Sequence, residues 1–125
     1  PQPRRSVKGI EAARVHQVLA VLERHADLSF AARDVYVSVV GGLRVRDPGA
    51  DLPVAIALAS SLLGRGIGSV AAWGEVGLTG EIRAVAHGEH RSAEVKRLGL
   101  ETAVGPTSDG SGRIERVLAD LGLLG

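Results

Sequence analysis

With 125 residues, 45% of them hydrophobic and 23% charged, the chain is expected to fold as one globular domain around a single core. Aromatic residues are only 2% of the chain, so the core must be aliphatic, and an aromatic platform for stacking single-stranded bases is not expected. The net charge of +1 does not announce a nucleic-acid binder, yet the bases are thirteen arginines against two lysines, Lys8 and Lys96. Arginine's forked donors suit phosphate, so a local basic surface stays open. The lack of cysteine excludes disulfides, thiolate nucleophiles and cysteine zinc sites, and fits a reducing cytoplasm. No apolar run approaches ~18 residues and no signal peptide precedes the core, so a membrane role is not expected.

In chain order, residues 1–8 are basic and polar and read as a loose leader or linker stub, leaving 9–125 as the domain. From Glu11 to Ala26 the residues Val15, Val18, Leu19 and Leu22 recur at helical spacing. Asp34 to Val40 alternates, with Val35, Val37 and Val39 on one side, and reads as a half-buried strand that Gly41-Gly42 breaks and Leu43 to Val45 continues. After the turn Asp47-Pro48-Gly49, Asp51 to Leu63 is a nearly wholly apolar helix, capped by Asp51 or a neighbour, with Pro53 tolerated in its first turn. Gly64 to Gly68 ends it, and Val70 to Trp73 begins a strand. Ile82 to Val85 is a returning strand, Glu89 to Leu98 an amphipathic helix and Thr102 to Val104 a short strand. Thr107 to Gly112 is a flexible loop before a closing helix, Ile114 to Leu121. This order predicts an α+β or mixed α/β domain with helices layered on a sheet.

The most informative stretch is Trp73-Gly-Glu-Val-Gly-Leu-Thr-Gly-Glu-Ile-Arg83, where Gly74, Gly77 and Gly80 interrupt a strand-like run. Glycines so placed let a sheet fold back sharply. The stretch closely resembles the segment Gly-Glu-Val-Gly-Leu-Thr-Gly-Glu-Ile-Arg of the bacterial DNA-repair family RadA (Sms), in its C-terminal Lon-protease-like domain. Asp34-Val-Tyr-Val-Ser-Val-Val-Gly-Gly-Leu43, Asp51 to Ser61, Gly9-Ile10 and Leu19 to Arg24 resemble further pieces of that domain in the same order. Together they cover roughly Gly9 to Pro106. The resemblance implies an α+β fold like the Lon proteolytic domain, with a ribosomal-protein-type βαβ core and a mixed sheet with helices packed on it.

Lon proteases cut peptides with a serine in an Asp-Gly-Pro-Ser-Ala-Gly motif and a lysine after the hairpin glycines. The corresponding positions here are Ala50, within Asp47-Pro-Gly-Ala-Asp-Leu52, and Glu89. An alanine has no nucleophilic atom and a glutamate cannot serve as the neutral amine base. The resemblance therefore implies a degenerate, non-proteolytic domain with no catalytic residue. A Ser–Lys peptidase with a rearranged dyad, using Ser60 or Ser61, and a purely structural oligomerisation domain are the alternatives.

Family kinship further implies self-assembly, as a hexameric ring beneath RecA-like ATPase domains, with DNA and the recombinase RecA as partners. Here no Gly-x-x-x-x-Gly-Lys-Ser/Thr loop occurs, and Gly64-Arg-Gly-Ile-Gly68 lacks the dinucleotide fingerprint. No cofactor is therefore expected in this domain; the ATP, Mg and Zn sites would lie in N-terminal domains of the parent. His87 and His90 are three apart but have no cysteine partner, and no metal site is expected. The candidate nucleic-acid contacts are Arg44, Arg83, Arg91 and Arg97, with Arg46 beside them.

Overall fold

A computed structural model describes residues 2–42, 44–86, 88–99 and 102–125. The elements run β1 (Arg5–Lys8), α1 (Ala12–Ala26), β2 (Val35–Ser38), α2 (Asp51–Leu63), β3 (Val70–Ala72), β4 (Glu75–Val76), β5 (Ile82–Arg83), α3 (Gly88–Arg97), β6 (Thr102–Val104) and α4 (Ile114–Asp120). Single 3₁₀ turns at Val40–Gly42 and Pro48–Ala50 bracket the loop ahead of α2.

The core is aliphatic, as the composition requires. On α1, Val15, Val18, Val21 and Leu22 are fully buried; opposite them stand Leu52, Ala55 and Ala59 of α2 and Ile114 and Leu118 of α4. The alanines of α2 let α1 and α4 approach closely, while each buried leucine contributes roughly 1.5–3 kcal/mol. Helix α1 stops at Asp27, which takes a left-handed backbone conformation and donates its N–H to the Leu22 carbonyl. Helix α2 stops at Gly64 in the same conformation, the usual αL termination.

Two expectations need correction. Residues 5–8 are not a loose leader: Arg5–Lys8 is a strand paired in parallel with β2, Arg5 opposite Val35 and Lys8 opposite Ser38. The Arg5 guanidinium holds it there by donating to the carbonyls of Arg33 and Phe30, at 2.5 and 2.8 Å. Nor is there one mixed sheet among the described residues. Three two-stranded pairings form instead: β1–β2 and β3–β6 are parallel, β4–β5 antiparallel. The strands are two to four residues long because glycine turns and 3₁₀ turns take the chain out of each ladder early. The helical content with small sheets remains compatible with α+β.

The remaining elements follow the expected order with shifted ends. The strand expected through Val85 ends at Arg83, and Leu43 lies outside the described residues, although Val45 does bridge in parallel to Ile10. The loop from Thr107 to Gly112 is tied internally: Asp109 Oδ1 accepts from the hydroxyls of Thr107 and Ser111 and from the Ser111 N–H, at 2.7–3.0 Å. No helix among the described residues is long and apolar enough to cross a membrane.

Candidate functional site

The glycine run is an antiparallel hairpin with Glu75 opposite Arg83 and Val76 opposite Ile82. Its glycines have separate physical reasons. A Cβ at Gly74 (φ +153°) would stand 2.8 Å from the buried Ile82 Cγ2. At Gly80 (φ +87°) it would meet Arg113 and His25, at 2.9 and 3.1 Å. At Gly77 it would occupy the space of the Glu81 carboxylate. That carboxylate accepts from the Thr79 N–H and hydroxyl, at 3.2 and 2.7 Å, and from Arg83 Nε and Nη2, at 3.2 and 2.9 Å. The Thr79 hydroxyl first, then the backbone amide and Arg83, push its pKa down to about 2, as donors to a carboxylate do. The tip is pinned from outside as well: Arg113 Nη2 donates to the Thr79 carbonyl at 2.6 Å, and the Ile114 N–H to that of Gly80 at 2.8 Å.

The hairpin sits on the start of α2. The Gly74 N–H donates to the Gly49 carbonyl at 2.9 Å and the Leu52 N–H to that of Gly74 at 3.0 Å. The Asp47 carboxylate caps the turn before α2 by accepting from the Gly49 N–H at 2.8 Å. The cap expected from Asp51 or a neighbour does not form on α2, whose N-cap is Ala50 with no side-chain cap; Asp47 caps the preceding turn instead and Asp51 turns inward. It is 2% exposed and accepts Arg14 in a fork, Nε to Oδ1 at 2.9 Å and Nη2 to Oδ2 at 2.5 Å. It also accepts the Val76 N–H at 3.1 Å, and Arg14 reaches Glu75 at 3.3 Å. One carboxylate thus ties α1, α2 and the hairpin together, and its hydrogen bonds raise the pKa of Arg14 above its ordinary value. Sequence reasoning missed this triad. The available signal was Arg14 itself, which shares a helical face with Val18 and Val21 and therefore needs a partner inside.

Ala50, one residue before Asp51, ends the 3₁₀ turn and is half-buried, with only a methyl group to offer. Glu89 lies in the first turn of α3, and its side chain is outside the described residues. The Ser60 hydroxyl is occupied, donating to the Arg65 carbonyl at 2.5 Å; Ser61 is exposed. His87 also lies outside the described residues, and no group of three His, Cys, Asp or Glu that could hold a metal occurs among the described ones.

The structure does not bring the four candidate arginines into one patch of free cations. Arg83 is paired with Glu81 across its own hairpin. Arg91 is held by Asp47 and by the Ala86 carbonyl at 3.2 Å, with its guanidinium pressed over Gly49, so it fastens α3 to the turn before α2. Arg97 is paired with Glu94 one turn back on α3. Arg44 differs. It and Arg46 are exposed and make no ion pair with any described residue. They flank Val45, whose N–H donates to the Gly9 carbonyl at 2.6 Å. That pairing sets both arginines beside the end of β1, where exposed Lys8 also forms no ion pair with a described residue.

No protein-family model matches the chain. Curated relatives do. The DNA repair protein RadA of Mycobacterium tuberculosis is 48% identical over 108 residues, 86% of this chain and 22% of that protein. RadA of Brucella abortus is 41% identical over 109 residues, 86% of this chain and 23% of the relative. RadA of Escherichia coli is 43% identical over 108 residues, 86% of this chain and 24% of the relative. The chain thus spans less than a quarter of the length of these relatives, and over that segment it is a homologue of the bacterial DNA repair protein RadA, consistent with the C-terminal domain.

Proposed function

We propose that this chain is a non-proteolytic, Lon-like C-terminal module of a RadA-type DNA repair and recombination protein in the bacterial cytoplasm. In this reading it contributes to assembly of a hexameric ring in the full-length protein and offers a DNA-contacting surface for processing branched intermediates. The observation that carries the DNA role is the exposed Arg44–Arg46 segment beside Lys8, which has no described carboxylate to satisfy it, in a homologue of DNA repair proteins. The non-proteolytic role is supported by Ala50, which offers no nucleophile where Lon proteases carry serine. ATP, Mg and Zn would belong to other domains of the parent, whose motor would move the DNA, with RecA as a further partner.

The experiment is fluorescence anisotropy with a labelled branched duplex across a salt series. Phosphate contacts release counterions, so affinity must fall as salt rises, by a logarithmic slope of roughly 0.9 per neutralised phosphate. A salt-independent affinity, or none at low salt, would leave the structural oligomerisation reading, for which sedimentation velocity gives the assembly state. Turnover of a fluorogenic peptide, abolished by Ser61→Ala, would favour the rearranged peptidase.

A further inference from the structure

Two anchors hold the Arg44–Arg46 segment. One is at its middle, where the Val45 N–H donates to the Gly9 carbonyl at 2.6 Å and Val45 bridges in parallel to the buried Ile10. The other is Asp47, the residue that follows. Its Oδ1 accepts the Gly49 N–H at 2.8 Å, and its Oδ2 accepts Arg91 Nη2. The Arg91 guanidinium reaches Asp47 across Gly49, where a Cβ would stand 2.7 Å from Nη1 and 3.2 Å from Cζ, so the glycine gives it its seat. On its other side Arg91 Nε donates to the Ala86 carbonyl at 3.2 Å, just ahead of α3. Donors spread over one rigid planar group fix its orientation as well as its place. The Arg91 side chain is only 23% exposed, so most of it faces protein and not solvent.

The sign of the charge gives this arrangement its consequence. Asp47 puts a half-exposed anion directly after Arg46 on the same loop. A carboxylate left without Arg91 would lower the positive potential that a phosphate meets there. It would also compete with phosphate for Arg46 and Arg44, since opposite charges on neighbouring side chains attract at short range. Arg91 engages it from the protein side instead. We propose that Arg91 is a positioning residue for DNA contact: by pairing with Asp47 it neutralises the anion beside Arg44 and Arg46 and fixes the turn next to them, without touching phosphate itself. The inference rests on the DNA reading given above and deepens it. It also separates Arg91 from Arg97 on the same helix, whose described ion pair with Glu94 lies within α3.

The test measures the affinity of the 125-residue chain for a labelled branched duplex across a salt series, with the folding of each variant verified by circular dichroism. Arg91→Met should lose at least fivefold at low salt, and Arg97→Met, the same charge change on the same helix, less than twofold. Adding Asp47→Asn to Arg91→Met removes the anion while leaving a side-chain oxygen to accept the Gly49 N–H. Affinity should then return to within twofold of the parent, and the salt slope with it. A direct phosphate contact by Arg91 behaves otherwise, because the double variant would keep a slope shallower by roughly 0.9. In the unmodified chain, the Arg44 and Arg46 Nε–H resonances should move when the duplex is added, while that of Arg91 stays in place. An Arg91 resonance that moves with them, a double variant that stays weak, or an Arg91→Met protein that binds like the parent overturns the proposal. Arg44→Glu/Arg46→Glu separates the two levels. Insensitivity to it removes the DNA reading and this proposal together; sensitivity to it, with no effect of Arg91→Met, removes this proposal alone.

Discussion

Arg83 on the hairpin and Arg44 with Arg46 ahead of α2 are all exposed, but among the described residues only Arg83 of the three forms an ion pair. The hairpin region is closed on itself. Glu81 consumes Arg83, Arg113 and Ile114 hold the turn carbonyls, and Glu75 shares Arg14 with the buried Asp51. The segment around Val45 is held by backbone contacts to Gly9 and Ile10, and its two cations are left for solvent. Arginine content alone therefore does not mark an interface. Among the four candidates, pairing with a described carboxylate separates Arg83, Arg91 and Arg97 from Arg44.

That contrast can be broken from the hairpin side first. Asp51→Ala should cost about 3 kcal/mol, because an arginine is left facing the interior without its carboxylate; the value sits at the low end since the Arg14 side chain is 26% exposed. Urea unfolding measures it, and joint replacement of Arg14 and Asp51 by methionine should recover most of the loss. Gly74→Ala comes next, at about 1–3 kcal/mol, from overpacking against Ile82. A Gly74→Ala protein as stable as the parent would mean that the hairpin seat on α2 is not the fixed element described here.

The acid response of the hairpin is a smaller effect. With a folded pKa of about 2 against an ordinary 4.5, Glu81 contributes stability that is fully present above the unfolded value. The contribution is lost as pH falls through the folded one. A carbon-detected NMR titration should find the Glu81 midpoint near 2, moving up in Thr79→Val and less in Arg83→Ala. A midpoint at the ordinary value would remove the internal cap that explains Gly77.

Much of this fold was legible in the sequence because its signals are local. The apolar run set α2 from Asp51 to Leu63, the valine alternation set β2, and the glycine spacing set the hairpin. What was not legible depends on distant partners. Arg5–Lys8 has only Val7 to mark it as a strand and owes its conformation to β2, some thirty residues away. The fates of Arg14 and Arg91 are decided by Asp51 and Asp47, 37 and 44 positions along the chain. Residue type placed Arg44, Arg83, Arg91 and Arg97 on equal footing; the folded arrangement of carboxylates distinguishes them.

We propose that the Arg44–Arg46 segment, which forms no ion pair among the described residues, meets DNA and that the paired arginines do not. The direct measurement compares DNA affinity and salt slope for Arg44→Glu/Arg46→Glu and for Arg83→Glu/Arg97→Glu, with folding verified for both. The first pair should lose at least tenfold in affinity at low salt and show a slope shallower by roughly 2, and the second should lose less than threefold. Equal losses from the two pairs, or a larger loss from the second, would contradict it.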